Sequence, residues 1–114
     1  GGFWYHIGEL ETAVRLRLDL VIVVNNNNRL SQEYDIYKEA YGGELKGNHH
    51  ELWHFREVNL AQLAERFGAT GIRVEDPGEL GGALKRAFET GGPCVVDVIT
   101  DADAMAPLGF AGGA

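Results

Sequence analysis

The sequence has 114 residues, 45% of them hydrophobic and 24% charged, the make-up of one small globular domain. Its 17 acidic and 10 basic side chains give a formal net charge of −7, which argues against a nucleic-acid partner, since such proteins normally present a basic face. The single cysteine, Cys94, excludes an internal disulfide framework and suits a reducing, cytoplasmic setting, and no apolar run approaches the roughly 20 residues of a membrane span.

In chain order, apolar positions at Ile7, Leu10, Val14 and Leu18 predict a helix within residues 3–18. Leu20–Val24 is a short apolar run of the kind found in a strand buried on both faces of a parallel sheet. It ends in Asn25–Asn28, residues that favour turns and caps. An amphipathic stretch from about Leu30 to Tyr41 stops at Gly42-Gly43. Residues 42–58 are irregular and polar. Asn59 predicts an N-cap for a helix over Leu60–Phe67, with Gly68 as its C-terminal stop. Gly71–Val74 is a candidate strand. Asp76-Pro77-Gly78-Glu79 predicts a helix start, with a capping Asp, Pro at the first position and an acid three residues after the cap. That helix is expected to run to about Thr90, followed by a β-branched strand over Pro93–Thr100. The alternation predicts an α/β fold, a three-layer sandwich with a mainly parallel sheet and helices on both faces. Residues 1–100 are expected to form the domain and 101–114 a tail or linker. Ligands in such sheets bind beyond the carboxyl ends of the strands, which is where Asn25–Asn28 falls.

Four asparagines after a strand read most simply as a turn with spare amides. They also suit a hard metal, because Mg²⁺ takes amide and carbonyl oxygens together with carboxylate and phosphate oxygens. The segment GGFWYHIGELETAVRLRLDLVIVVNNN and the later NLAQLAERFGATGIRVEDPGELGGALKRAFETGGPCVVDVITD resemble the thiamin-diphosphate-dependent enzymes, closest to the acetolactate synthase-like branch. Members carry Gly-Asp-Gly and then, after a helix and a strand, Asn-Asn. The resemblance covers residues 1–108 and implies the incomplete C-terminal cofactor-binding domain of such an enzyme. It implies thiamin diphosphate and Mg²⁺ as cofactors, with Asn27 (preceded by Asn26) giving a side-chain oxygen and Arg29 a backbone carbonyl to the metal. Gly1 and Gly2 would let backbone N–H groups approach the diphosphate at a helix start. Leu30 and Ser31 would complete the cradle, mainly through backbone N–H groups, with the Ser31 hydroxyl either joining it or capping the next helix.

The resemblance also implies what the chain lacks. Gly1 corresponds to the last glycine of the triplet, so the metal-binding aspartate is expected just before it, in a longer parent protein. The glutamate that activates the cofactor in this family comes from a pyrimidine-binding domain of the same or a partner subunit. This segment alone is therefore expected to hold no catalytic residue. The parent is expected to be a homo-oligomer acting on 2-keto acids by acetolactate synthase-like carboligation or decarboxylation. A non-catalytic remnant or scaffold module of the same fold is the alternative. Glu9 and Glu11 read as solvated or dipole partners of the first helix, and Cys94 as core.

One motif competes. His50-Glu51-Leu52-Trp53-His54 matches H-E-x-x-H, which on a helix places two imidazoles on one face to bind zinc beside a general base. A zinc metalloprotease needs a third protein ligand, and Leu60 stands where the extended motif has histidine; Glu75 or Glu79 would have to serve. The plainer expectation is a loop or helix start with Trp53 and Phe55 packed inward. A third is that His49, His50 or His54 lies near a substrate entrance.

Overall fold

The computed structural model describes residues 1–104. Three parallel strands, β1 (Val21–Asn26), β2 (Thr70–Val74) and β3 (Cys94–Ile99), form a sheet in the order β1-β3-β2. Among the described residues the α-helices are α1 (Gly2–His6), α2 (Glu9–Arg15), α3 (Ser31–Ala40), α4 (Leu60–Phe67) and α5 (Leu80–Glu89). Short 3-10 turns cover His49–Leu52 and Pro77–Glu79. This is the predicted α/β arrangement, and both faces of the sheet are covered. On one face α5 seats Ala83 and Ala87 against Val74, Cys94 and Val96. On the other, Leu10 of α2 and Ala64 of α4 meet Val95, with Phe3 and Phe67 alongside.

The centre of the sheet explains the composition of β3. Cys94, Val95, Val96 and Asp97 are all fully buried, as a strand with neighbours on both edges and helices on both faces must be. β1 departs from expectation. Val23 is 52% exposed, because among the described residues β1 pairs only with β3 and α5 packs over β3 and β2. The apolar run reports strand character correctly, but not how many neighbours the strand has.

Local rules account for most element ends. Asn59 accepts a hydrogen bond from the Gln62 N–H at 2.9 Å, and Gly68 closes α4 at φ +93°, as Asn and Gly at those positions predict. Asp76 does cap, accepting from the Gly78 N–H at 2.8 Å, but it starts a 3-10 turn that leads into α5. The single helix expected within residues 3–18 is two. Ile7 and Gly8 keep helical dihedrals, but the Leu10 and Glu11 N–H groups bond three residues back, to the Ile7 and Gly8 carbonyls. A glycine at the joint, with its poor helix propensity, is where such tightening is cheapest. Helix α4 lies unusually close to β2 at Gly71. A Cβ there would come within 2.6 Å of the Ala61 carbonyl carbon, so only glycine fits.

Candidate functional site

The carboxyl ends of β1 and β3 lie side by side, with Asn26 opposite Ile99. The Thr100 N–H extends the ladder to the Asn26 carbonyl at 3.1 Å. Beyond these ends the asparagines build the loop. Strand pairing continues through Asn26, further than turn propensity predicts, because Asn25 and Asn26 spend their side chains on Thr100, just past β3, and on β3 itself. Asn25 Oδ1 accepts from the Thr100 hydroxyl at 2.6 Å, and Asn26 Nδ2 donates to Asp97 Oδ1 at 2.8 Å. Two successive Asx turns follow. Asn26 Oδ1 accepts from the Asn28 N–H at 3.2 Å, and Asn27 Oδ1 from the Arg29 N–H at 3.1 Å. Asn28 sits at φ +54°, a left-handed conformation that asparagine tolerates better than most side chains. The loop thus gives each asparagine a local reason.

Of the residues expected in the site, Asn27 and Ser31 are joined, Asn27 Nδ2 donating to Ser31 Oγ at 2.9 Å. With its nitrogen fixed there, the amide oxygen is left to the loop. The Arg29 guanidinium pairs with Asp103 at 2.7 Å. Asn28 and Leu30 carbonyls accept from Phe55 and Glu33 N–H groups, whereas no backbone donor meets the Arg29 carbonyl among the described residues. Gly1 is brought against Leu30: a Cβ on Gly1 would collide with Leu30 Cδ2 and lie 3.4 Å from Cγ. The two ends of the expected motif therefore touch. Gly2 lines a cleft of about 450 Å³ that runs along β1 past Phe3, Leu10 and Ile22 to Asn25. On the other side of the loop a cavity of about 330 Å³ is lined by Arg29, Ser31, Tyr34, Asp35, Ala102 and Asp103.

Leu30 requires a correction. Its N–H, expected to face a diphosphate, is donated to the Trp53 carbonyl at 2.8 Å, part of an antiparallel bridge between Arg29 and His54. What Leu30 contributes is its side chain against Gly1. Ser31 is not the cap either: it is the first residue of α3, and its hydroxyl reaches the Ala102 carbonyl at 3.4 Å. The start of the expected tail, Asp101–Asp103, is thus tied to the loop; residues 105–114 of it lie outside the described residues.

The donor set fits a hard cation in kind. Asn27 Oδ1 and the Arg29 carbonyl are the oxygens such an ion takes. Two neutral oxygens do not make a site, and among the described residues no group of three His, Cys, Asp or Glu is placed to hold a metal.

The histidine motif is part of a packed wall. Residues His49–Leu52 form a 3-10 turn, not an α-helix, and the His50 and His54 rings are 6.2 Å apart. Trp53 is 2% exposed beneath Tyr34, Tyr37 and His49, with ring centroids 5.7, 5.1 and 5.1 Å away. Phe55, expected inside as well, is 36% exposed. Some desolvation of the exposed ring, then the charges of Arg29, His50 and His49, hold the His54 imidazole below its ordinary pKa, with Asp103 opposing. No third histidine, cysteine or carboxylate completes a zinc site among the described residues.

Sequence reasoning passed over Asp97, the best-connected polar side chain here. It is fully buried, accepts from Asn26, from the Leu60 N–H at 2.9 Å and from Arg73 Nη1 at 3.3 Å. The signal was present: a carboxylate inside PCVVDVIT is out of place unless paired.

The model of the family described as "Thiamine pyrophosphate enzyme, C-terminal TPP binding domain" matches residues 1–98. An acetolactate synthase of Bacillus subtilis (strain 168) is 38% identical over 101 residues, covering 89% of this chain and 17% of that protein. The 2-hydroxyacyl-CoA lyases of Arabidopsis thaliana and Oryza sativa subsp. japonica are 36% and 32% identical, each covering 95% of this chain and 19% of the lyase. The chain thus spans less than a fifth of the length of these curated relatives. No helix among the described residues is long and apolar enough to cross a membrane. With a parallel sheet whose strand ends carry the asparagine loop against Gly1, and a family match over 98 of 114 residues, the chain belongs to the thiamin-diphosphate enzymes, as their C-terminal cofactor-binding domain.

Proposed function

We propose that this segment holds the diphosphate end of thiamin diphosphate through a magnesium ion, in an enzyme that acts on 2-keto acids. The observation that carries the reading is the contact of Gly1 with Leu30, which sets a helix start beside the loop that displays Asn27 Oδ1 and the Arg29 carbonyl. Asn27 would give its amide oxygen to the metal and Arg29 its backbone carbonyl. The N–H groups of Gly1, Gly2 and Ser31 would face the diphosphate, where helix starts leave donors unsatisfied. The acidic chain supplies little positive charge for that anion, and a metal held by Asn27 and Arg29 would supply it. Asn26 acts from behind, holding the loop to β3.

When bound, the cofactor supplies an electron sink for the carbon that loses carboxylate. The residues here anchor and orient it; proton transfer at the substrate falls to groups outside this segment. Acetolactate synthase-like carboligation or decarboxylation is the reaction class we favour, in a cytoplasmic homo-oligomer whose pyrimidine-binding domain completes the site. An acetolactate synthase and a 2-hydroxyacyl-CoA lyase both resemble this segment, at 38% and 32% identity, which fits a part that serves the cofactor and leaves the acceptor to other domains.

The test is calorimetric titration of the intact protein with thiamin diphosphate, with and without Mg²⁺. Binding is expected to need the metal and to weaken by more than about tenfold in Asn27→Ala, since a lost ligand should cost at least as much as a lost outer-shell partner. Binding that ignores both the metal and the substitution would refute the assignment.

A further inference from the structure

The mechanism just described leaves the buried carboxylate of Asp97 without a task. Burying a carboxylate costs several kcal/mol before pairing, and its neighbours Val95, Val96 and Val98 show what packing alone would select at this place. Asp97 lies on the same strand face as Val95, under the start of α4. Its Oδ1 takes the Asn26 amide at 2.8 Å, and its Oδ2 takes the Leu60 N–H at 2.9 Å and Arg73 Nη1 at 3.3 Å. Arg73 is itself held by Glu75 at 2.7 Å and Glu57 at 3.5 Å.

The consequence reaches the loop through one amide. Asn26 has its nitrogen on Asp97 and its oxygen on the Asn28 N–H at 3.2 Å. Rotating that amide would offer a donor to a donor and undo the first Asx turn. The second turn, which displays Asn27 Oδ1 and the Arg29 carbonyl, starts one residue later and would lose its support. A hydrogen-bonded line therefore runs from Arg73 through Asp97 and Asn26 to the backbone of the displayed loop.

We infer that Asp97 is a positioning residue for the asparagine loop, setting the orientation of Asn26 and so the placement of the oxygens offered to the metal. This rests on the reading of the loop given above. A helix cap alone is the competing role, because Asp97 also receives the first N–H of α4.

The experiment measures Mg²⁺ half-saturation of thiamin diphosphate binding by calorimetry, with thermal unfolding in parallel, on the intact protein and on Asp97→Asn, Asn26→Ala, their double variant, and Asn59→Ala. Asp97→Asn preserves shape but cannot accept from Asn26, Leu60 and Arg73 together. It is expected to raise the Mg²⁺ half-saturation by about 10- to 100-fold, the usual effect of losing an outer-shell partner. Asn26→Ala should do the same, and the double variant should be no worse than the poorer single, because both cut one line. Asn59→Ala, which weakens the other cap of α4 and touches nothing in the loop, should lower the melting temperature and leave the Mg²⁺ requirement unchanged. An Asp97→Asn protein with unaltered Mg²⁺ half-saturation overturns the inference, as does an Asn59→Ala protein that shifts it equally. If Asp97→Asn does not fold, Asn26→Ala at unaltered half-saturation overturns it by itself. Metal-independent binding by the unaltered protein overturns both this inference and the function it rests on, whereas the preceding outcomes leave that function standing.

Discussion

Replacing Gly71 by alanine tests the packing that places α4 on the sheet. The added Cβ would stand 2.6 Å from the Ala61 carbonyl carbon and 2.9 Å from its Cα, where ordinary contact begins at 3.4 Å. The atoms in the way are helix backbone, so no side-chain rotation relieves them. Helix α4 has to back away from β2 by more than the 0.8 Å between 2.6 and 3.4 Å, because the Ala61 carbonyl oxygen lies closer still. Such a shift loosens Ala64 from Val95 and draws the Leu60 N–H off Asp97, whose hydrogen bond is 2.9 Å long. Overpacking costs about 1–3 kcal/mol, and a buried acceptor left short adds about 1–3 kcal/mol. A total of about 2–6 kcal/mol should lower the urea midpoint by about 1–3 M, taking a slope of about 2 kcal/mol/M, the middle of the usual range. Gly81→Ala in α5, where a Cβ meets nothing within 4 Å, is the control and should be neutral or slightly stabilising, by up to about 1 kcal/mol. A Gly71→Ala protein whose midpoint matches the unaltered protein would refute the argument that α4 is seated backbone to backbone.

Two further outcomes follow from titratable groups. Cys94 is fully buried and burial pushes its thiol above the usual cysteine pKa, so it should stay unmodified by a thiol reagent at pH 8 until the sheet opens; labelling as fast as a free thiol, with the sheet intact by circular dichroism, would contradict its place in the core. His54 is held below its ordinary value of 6.5. The unfolded chain therefore takes up that proton first as pH falls, so the associated stability is complete above about 6.5 and is lost as pH drops through the lowered pKa. His54→Gln should flatten the decline in melting temperature as pH falls below about 6.5, and an unchanged decline would remove His54 from the account.

What the sequence made legible was local. Asn59, Gly68 and Asp76 announce their caps because capping depends on residues two to four apart. The family motif could be followed from Gly1 to Asn27 because its spacing is fixed by one helix and one strand. What it hid was set by distant pairings. The exposed edge of β1 depends on which strand lies next to it, and periodicity within Leu20–Val24 carries no record of that. Asp97 draws in Asn26 and Leu60, 71 and 37 residues away, so its purpose appears only when three elements meet. The Leu30 N–H was misplaced for the same reason: its partner, the Trp53 carbonyl, arrives from an irregular stretch whose path no local pattern specifies.

The strand order also has a bearing on how the chain acquires its shape during synthesis. β1 and β2 never pair with each other; each pairs with β3, the last of the three to be made. While a ribosome is still translating residues before Cys94, β1 and β2 lack the strand that joins them among the described residues. Parallel pairing between distant residues closes slowly in any case. The keystone comes at the end, so the interval before it emerges is when this segment is most in need of a chaperone's cover.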